Sequence, residues 1–282
     1  AAQNRPRFIL IALRRDIYAQ LGVRIPEEPL FRALQPAKLF VDLVQRGEDP
    51  ALGAIRCFDI EKDYSLFASD LRSPGLSHSS YVENINQLFC NFHSFELDKL
   101  ANHEFRANGP KVRARFRLNQ VINKLDINNA RKLKNYIKYA DGAQLDRPLL
   151  KEVAKYWLMD LNGTVLKKGA QKQIVSLLQA LRTHKHSQRA LKANRPAPAV
   201  LGSPDDTSHY YESESTQRTL TVRELARIQS FPDWYEFKSK VTTGGQSRKF
   251  EVPQYTQVGN AVPPLLGMAL GHVCAKLLNT CE

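Results

Sequence analysis

Arg218-Thr-Leu-Thr-Val-Arg-Glu-Leu-Ala-Arg-Ile-Gln-Ser-Phe-Pro-Asp233 and Gln254-Tyr-Thr-Gln-Val-Gly-Asn-Ala-Val-Pro-Pro264 lie about twenty residues apart near the C-terminus. In the first, Thr221 and Glu224 stand at capping-box spacing, with Thr221 bonding the Glu224 N–H and Glu224 reaching back. Leu220 and Leu225 flank them as a hydrophobic staple. A helix is therefore expected from about residue 222, ending before Pro232, because the residue preceding proline is pushed out of the helical region. Arg223 and Arg227 are four apart and share one face of that helix. In the second stretch, Gly259-Asn260-Ala261 precedes Val262-Pro263-Pro264 and a run that is apolar almost all round to Leu278. Prolines suit a first helical turn. The run is expected to be a buried helix, with Gly259 and Asn260 forming a loop at its N-terminus. Such a loop offers backbone amides and one side-chain amide to a polar ligand.

Working outward, Phe8-Ile-Leu-Ile-Ala-Leu13 is a continuous apolar run of buried-strand type. Gln3, Arg5 and Arg7 alternate before it and would point to one side of an extended segment. Helical spacing is read at residues 30–44, with Pro36 interrupting, and at 84–100, 128–139, 148–158 and 170–181. The last carries Ile174, Leu177, Leu178 and Leu181 at i, i+3, i+4 and i+7. Arg113, Arg115 and Arg117 alternate, which reads as a solvated basic strand, with contacts to base edges as the alternative.

The net charge of +13 is unevenly placed. Residues 101–200 hold 21 Lys/Arg against 6 Asp/Glu, whereas the rest of the chain holds 20 against 22. The whole excess lies in the middle hundred residues, which points to a polyanionic partner for that region. Cys57, Cys90, Cys274 and Cys281 form no C-x-x-C pair, which argues against a disulfide framework or a zinc site. Asp205-Asp206 and Asp59-x-Glu61 lack metal-site spacing, so no metal is assigned. No apolar run approaches the roughly 18 residues of a membrane helix, and no signal-peptide plan is present. No membrane partner and a cytoplasmic, nucleoid-associated location are expected.

The two C-terminal stretches resemble motifs IX and X of the DNA (cytosine-5) methyltransferases. Gln3-Asn-Arg-Pro-Arg-Phe-Ile-Leu-Ile-Ala-Leu-Arg-Arg-Asp16 resembles motif VIII, and the order VIII, variable region, IX, X is the family's own. The resemblance implies the C-terminal part of an α/β S-adenosyl-L-methionine-dependent methyltransferase. Rossmann-like sheet elements would lie at both ends, around an inserted helix-rich, mixed α/β target-recognition domain. Residues 1–19 would be the motif VIII strand and 20–200 the DNA-binding recognition domain. Residues 201–253 would bridge the domains, and 254–282 would return to the catalytic domain. The implied reaction moves a methyl group to C5 of a cytosine flipped from double-stranded DNA, after a Pro-Cys thiolate adds to C6. By correspondence Arg5 and Arg7 would serve catalysis beside the flipped base and DNA backbone. Asn260, Ala261 and Val262 would line the cofactor site. Gln3, Arg223 and Arg227 would serve DNA binding, the two arginines by organising the recognition domain and its backbone contacts.

The chain departs from the family at one decisive point. None of its cysteines follows a proline, and Phe-x-Gly-x-Gly and Glu-Asn-Val do not occur. These belong N-terminal to motif VIII, and this chain opens as if in mid-domain. Three readings stand: one subunit of a split enzyme, part of a longer polypeptide, or a non-catalytic DNA-binding remnant. Under the first two, residues 1–16 and 254–282 dock on an N-terminal catalytic half, and the chain alone is inactive.

Overall fold

The computed structural model describes residues 3–4, 85–86, 89, 100–139, 145–167, 169–183, 189–190, 197–202, 217–242, 250–268 and 270–271. The expected strand at 8–13, the helix at 30–44, Arg5, Arg7 and all four cysteines lie outside these residues, as do the acidic pairs at 59–61 and 205–206. Of the helix expected at 84–100, residues 85–86 are helical, residue 89 lies in a turn and residue 100 is not helical.

Strand β1 (Gln3–Asn4) pairs in parallel with β2 (Ala197–Pro198), Gln3 beside Ala197. The backbone at residue 3 thus meets the backbone at residue 197, and the chain between them leaves and returns to the same place. The described part of that excursion is mostly helical. Helix α1 spans Pro110–Lys124, α2 Ile127–Lys138, α3 Arg147–Val153 and α4 Gln171–Ala180. Pro110 opens α1, where its missing N–H costs nothing. Asp126 caps α2 through the N–H groups of Asn128 and Asn129, and Asp146 caps α3 through that of Leu149.

These helices enclose one aliphatic core. Leu118, Val121, Leu133, Leu149, Val153, Leu158, Leu178 and Leu181 are each at most 1% exposed. Arg113, Arg115 and Arg117 lie on α1, which corrects the reading of a basic strand. The alternating arginines masked Ala114, Leu118, Val121 and Leu125, which recur at helical spacing and are all buried. Arg117 is itself fully buried, its guanidinium 3.9 Å above the Trp157 ring and its Nε donating to the Trp157 carbonyl at 3.0 Å. Burial lowers its pKa to about 10, which leaves it charged at neutral pH. The helix expected at 148–158 ends early, at Val153. The chain instead turns so that Met159 pairs with Val165 across a short antiparallel bridge.

A second core forms around α5 (Val222–Ile228) and α6 (Gln254–Asn260). Leu220, Val222, Leu225, Ala226, Ile228, Tyr255 and Val258 are buried together, with Ile85 and Val200 arriving from distant sequence. The capping box is complete, since Thr221 Oγ1 accepts from Glu224 N and Glu224 accepts from Thr221 N. The helix also stops before Pro232 as expected. Two expectations about the second stretch are corrected. Gly259 and Asn260 are the last turn of α6, not a loop leading into the next helix. The helical residues 264–268, which follow Pro263, are not buried; they are partly exposed, as is Leu270. Among the described residues no helix is long and apolar enough to cross a membrane.

Candidate functional site

All seven residues of α5 are buried, including three that carry charge. Buried charges must be paired or fully hydrogen-bonded, and each of these is. Glu224 receives Arg218 through two bonds of 2.8 and 2.6 Å, with the Arg218 guanidinium 4.5 Å from the Phe105 ring centroid. Arg227 holds Asp233 by two bonds of 2.7 Å, both side chains 1% exposed. Asp233 also receives Asn86 Nδ2 at 3.0 Å, and its own N–H donates to Asn86 Oδ1. Burial raises the Asp233 pKa, but the Arg227 charge and the hydrogen bonds outweigh this and hold it below the usual carboxylate value.

Among the described residues, Arg223 makes no ion pair with a carboxylate. Its guanidinium donates to the carbonyls of Ala101, Pro232 and Tyr235 at 3.0, 3.0 and 2.6 Å, and to Asn102 Oδ1 at 3.4 Å. Desolvation lowers its pKa to about 10, so it keeps its charge at neutral pH. These acceptors come from two places. Pro232 and Tyr235 continue the α5 stretch, whereas Ala101 and Asn102 begin the segment that leads into α1.

Asn102 completes the junction. Its backbone is left-handed, φ 63°, a conformation asparagine tolerates better than most residues. Its side chain forks onto Phe237, accepting from the N–H and donating to the carbonyl, both at 2.9 Å. Its own carbonyl accepts from Arg223 N. His103 Nδ1 meets Thr221 Oγ1 at 2.9 Å, and Thr219 Oγ1 donates to Asn108 Oδ1 at 3.0 Å. The α5 stretch therefore grips residues 101–108, and those residues carry the helical core. Arg223 and Arg227 do not reach solvent in this structure. Both are held by partners inside the protein.

Helix α6 packs on α5. Gln229 Nε2 donates to the Val258 carbonyl at 2.7 Å, and the Tyr255 hydroxyl donates to the Leu220 carbonyl. Burial pushes the Tyr255 pKa up, so the hydroxyl keeps the proton that it donates. The C-terminal end of α6 is crossed closely by residues 201–202. A Cβ on Gly259 would lie 2.4 Å from Gly202 N and 2.6 Å from the Leu201 carbonyl carbon. Thr256 Oγ1 donates to the Gly202 carbonyl at 2.9 Å. Directly beyond this crossing Asn260 is exposed, Ala261 partly buried and Val262 61% exposed. An amide and a bare apolar side chain thus stand at the surface on a rigid support.

Of the residues singled out by sequence, Asn260, Ala261 and Val262 come together at the end of α6. Arg223 and Arg227 lie behind them in the α5 core. Gln3 lies in β1 beside Ala197, and Arg5 and Arg7 are outside the described residues. Sequence reasoning missed Asp233, although it stands six residues after Arg227 behind a proline. It missed Asn102 entirely, since nothing local marks it.

The chain matches the family model for C-5 cytosine-specific DNA methylases over residues 1–276. It is 38% identical over 109 residues to the Type II methyltransferase M.AquIB of Picosynechococcus sp., covering 38% of this chain and 76% of that protein. It is 58% identical over 79 residues to the Type II methyltransferase M.DdeI of Desulfomicrobium norvegicum, covering 28% and 18% respectively. A third relative is the Type II methyltransferase M1.HphI of Haemophilus parahaemolyticus, 40% identical over 90 residues, covering 32% of this chain and 20% of that protein. The chain thus spans a fifth or less of the length of two of these relatives, but three quarters of M.AquIB. Since 109 residues are 76% of it, M.AquIB is about 143 residues long; by the same ratio M.DdeI, of which 79 residues are 18%, is about 440.

Proposed function

The chain belongs to the C-5 cytosine-specific DNA methylase family, and from that premise we propose that it is the DNA-recognising, cofactor-closing part of a DNA (cytosine-5) methyltransferase of restriction-modification type. The observation that carries the partial status is that no cysteine among 282 residues follows a proline. The nucleophilic thiol is supplied from residues outside this chain, either a separate subunit or the same polypeptide. The short length of M.AquIB supports this reading, because a relative bearing the name methyltransferase is there about a third the length of M.DdeI. The partial exposure of Leu265, Leu266, Met268 and Leu270 supports it too, since such side chains are normally covered.

Within this assembly residues 20–200 form the recognition domain, residues 201–253 bridge it to the catalytic side and 254–282 return there. Asn260 offers an amide donor and acceptor, and Val262 an apolar surface, to S-adenosyl-L-methionine, which supplies the methyl group when bound. The Gly259 crossing holds these side chains in place. Arg5 and Arg7 sit beside the flipped cytosine and its backbone, with Gln3 next to them. Arg223 acts at one remove, by fixing residues 101–102 at the base of the recognition domain, and Arg227 by holding Asp233 against Asn86.

The test is reconstitution. The chain is mixed with the N-terminal half carrying Pro-Cys, and tritiated methyl transfer to duplex DNA is followed. Transfer is expected only from the mixture, and Arg7→Ala should reduce it more than it reduces DNA binding. Methylation by the chain alone would overturn the partial assignment. Equal losses of transfer and binding would remove Arg7 from the base. The second reading, a DNA-binding remnant, predicts salt-dependent DNA binding that S-adenosyl-L-methionine leaves unchanged.

A further inference from the structure

Helix α2 presents a basic, polar face on its outer side. Its 12 residues, Ile-Asn-Asn-Ala-Arg-Lys-Leu-Lys-Asn-Tyr-Ile-Lys, include four basic residues and no acidic one. Leu133 and Tyr136 are buried in the helical core. On the opposite side Ile127, Asn128, Arg131, Lys134 and Asn135 are exposed, and half-buried Lys138 extends the same stripe. They follow i, i+3, i+4 and i+7 spacing. Lys132 lies off the stripe and is held at 2.8 Å by Asp146.

A merely solvated helix face would not be built from these residues. Asparagine is a poor helix former, about 0.5 kcal/mol or more worse than alanine, yet Asn128 and Asn135 both occupy exposed positions. Ile127 is 83% exposed at the head of the stripe. Asn, Arg and Ile are, however, the side chains that read adenine, guanine and the thymine methyl in the major groove, and Lys suits the flanking phosphates. Twelve residues of helix span about 18 Å, and an α-helix fits a groove about 12 Å wide. The regional charge excess supplies the attraction.

Resting on the reading that this chain binds duplex DNA, we propose that α2 enters the major groove of the target. Asn128, Arg131 and Asn135 face base edges, Ile127 faces a thymine methyl, and Lys134 and Lys138 reach phosphates. This makes α2 the element that sets the recognised sequence.

The experiment passes the full chain over a duplex library with a randomised centre and sequences the retained DNA at several salt concentrations. Arg131→Ala and Asn135→Ala should each flatten the base preference at one or two positions by roughly tenfold or more. Lys134→Ala and Lys138→Ala should weaken all sequences alike and reduce the salt slope by about 1 each. Lys155→Ala, beside Glu152 and away from α2, should change neither. All these positions are at the surface, so far-ultraviolet circular dichroism should be unchanged. An unaltered consensus in both Arg131→Ala and Asn135→Ala would overturn the base-reading role of α2, and so would a uniform loss of affinity. Failure of the unaltered chain to retain any duplex would overturn the DNA-binding reading itself, and this inference with it.

Discussion

The helical core around α1–α4 and the core around α5 and α6 are similar in apolar content but opposite in how they treat charge. The first is aliphatic and keeps nearly all its charges outside, where pairs such as Lys132–Asp146 and Lys155–Glu152 are open to water. The second buries Arg218, Arg223, Glu224, Arg227 and Asp233 at 9% exposure or less. Aliphatic packing is tolerant of shape, whereas a buried guanidinium accepts only a few arrangements of its partners. The first region can therefore vary its surface and still fold, as the proposed DNA-reading role requires. The second fixes one geometry, as the proposed cofactor-side role requires.

Breaking a buried pair should expose this contrast most strongly. Arg227→Ala leaves Asp233 ionised and unpaired inside the protein and is expected to cost about 3–5 kcal/mol in urea denaturation. The same pair sets the acid limit. Because the Asp233 pKa is held below its ordinary value of 3.8, its contribution is complete above that value and is lost as pH falls through the folded pKa. Asp233→Asn should flatten that part of the pH–stability profile; an unchanged profile would mean that other carboxylates govern it.

Gly259→Ala should come next, at about 1–3 kcal/mol, because the new methyl meets backbone at residues 201–202 rather than a movable side chain. If the end of α6 holds the cofactor wall, the same substitution weakens S-adenosyl-L-methionine affinity by more than the loss in folding stability explains. Thr221→Ala removes half of the capping box and should cost about 1 kcal/mol, read from the same urea titration. Lys132→Ala, at the exposed pair of the helical core, should leave the midpoint where it is. A loss there comparable to that of Arg227→Ala would erase the distinction between the two regions.

The legible parts of this protein were those written in neighbouring residues. Thr221 and Glu224 are three apart, so their reciprocal bonds could be read directly, and Pro232 marked the helix end. The α4 stripe was legible for the same reason. The alternation of Arg113, Arg115 and Arg117 misled because period two and period 3.6 overlap over so short a window. The longer spacing from Ala114 to Leu125 was the better guide. Gly259 was read as part of an amide-presenting loop at a helix start, when its small size matters for close approach to Gly202.

By itself, the sequence determined which family the chain belongs to, where its positive charge lies, that its own cysteines lack the Pro-Cys setting, and where α5 begins and ends. All of these depend on residue identity or on hydrogen bonds within one turn. Only the tertiary structure decided that Arg223 bonds Ala101 and Asn102, that Asp233 closes on Arg227 and Asn86, and that Asn260 and Val262 stand exposed beyond a glycine crossing. Most of those outcomes depend on contacts between segments distant in sequence, more than a hundred residues apart for Arg223 with Ala101 and Asp233 with Asn86. A charged side chain's role is settled by whichever partners reach it first when water is excluded.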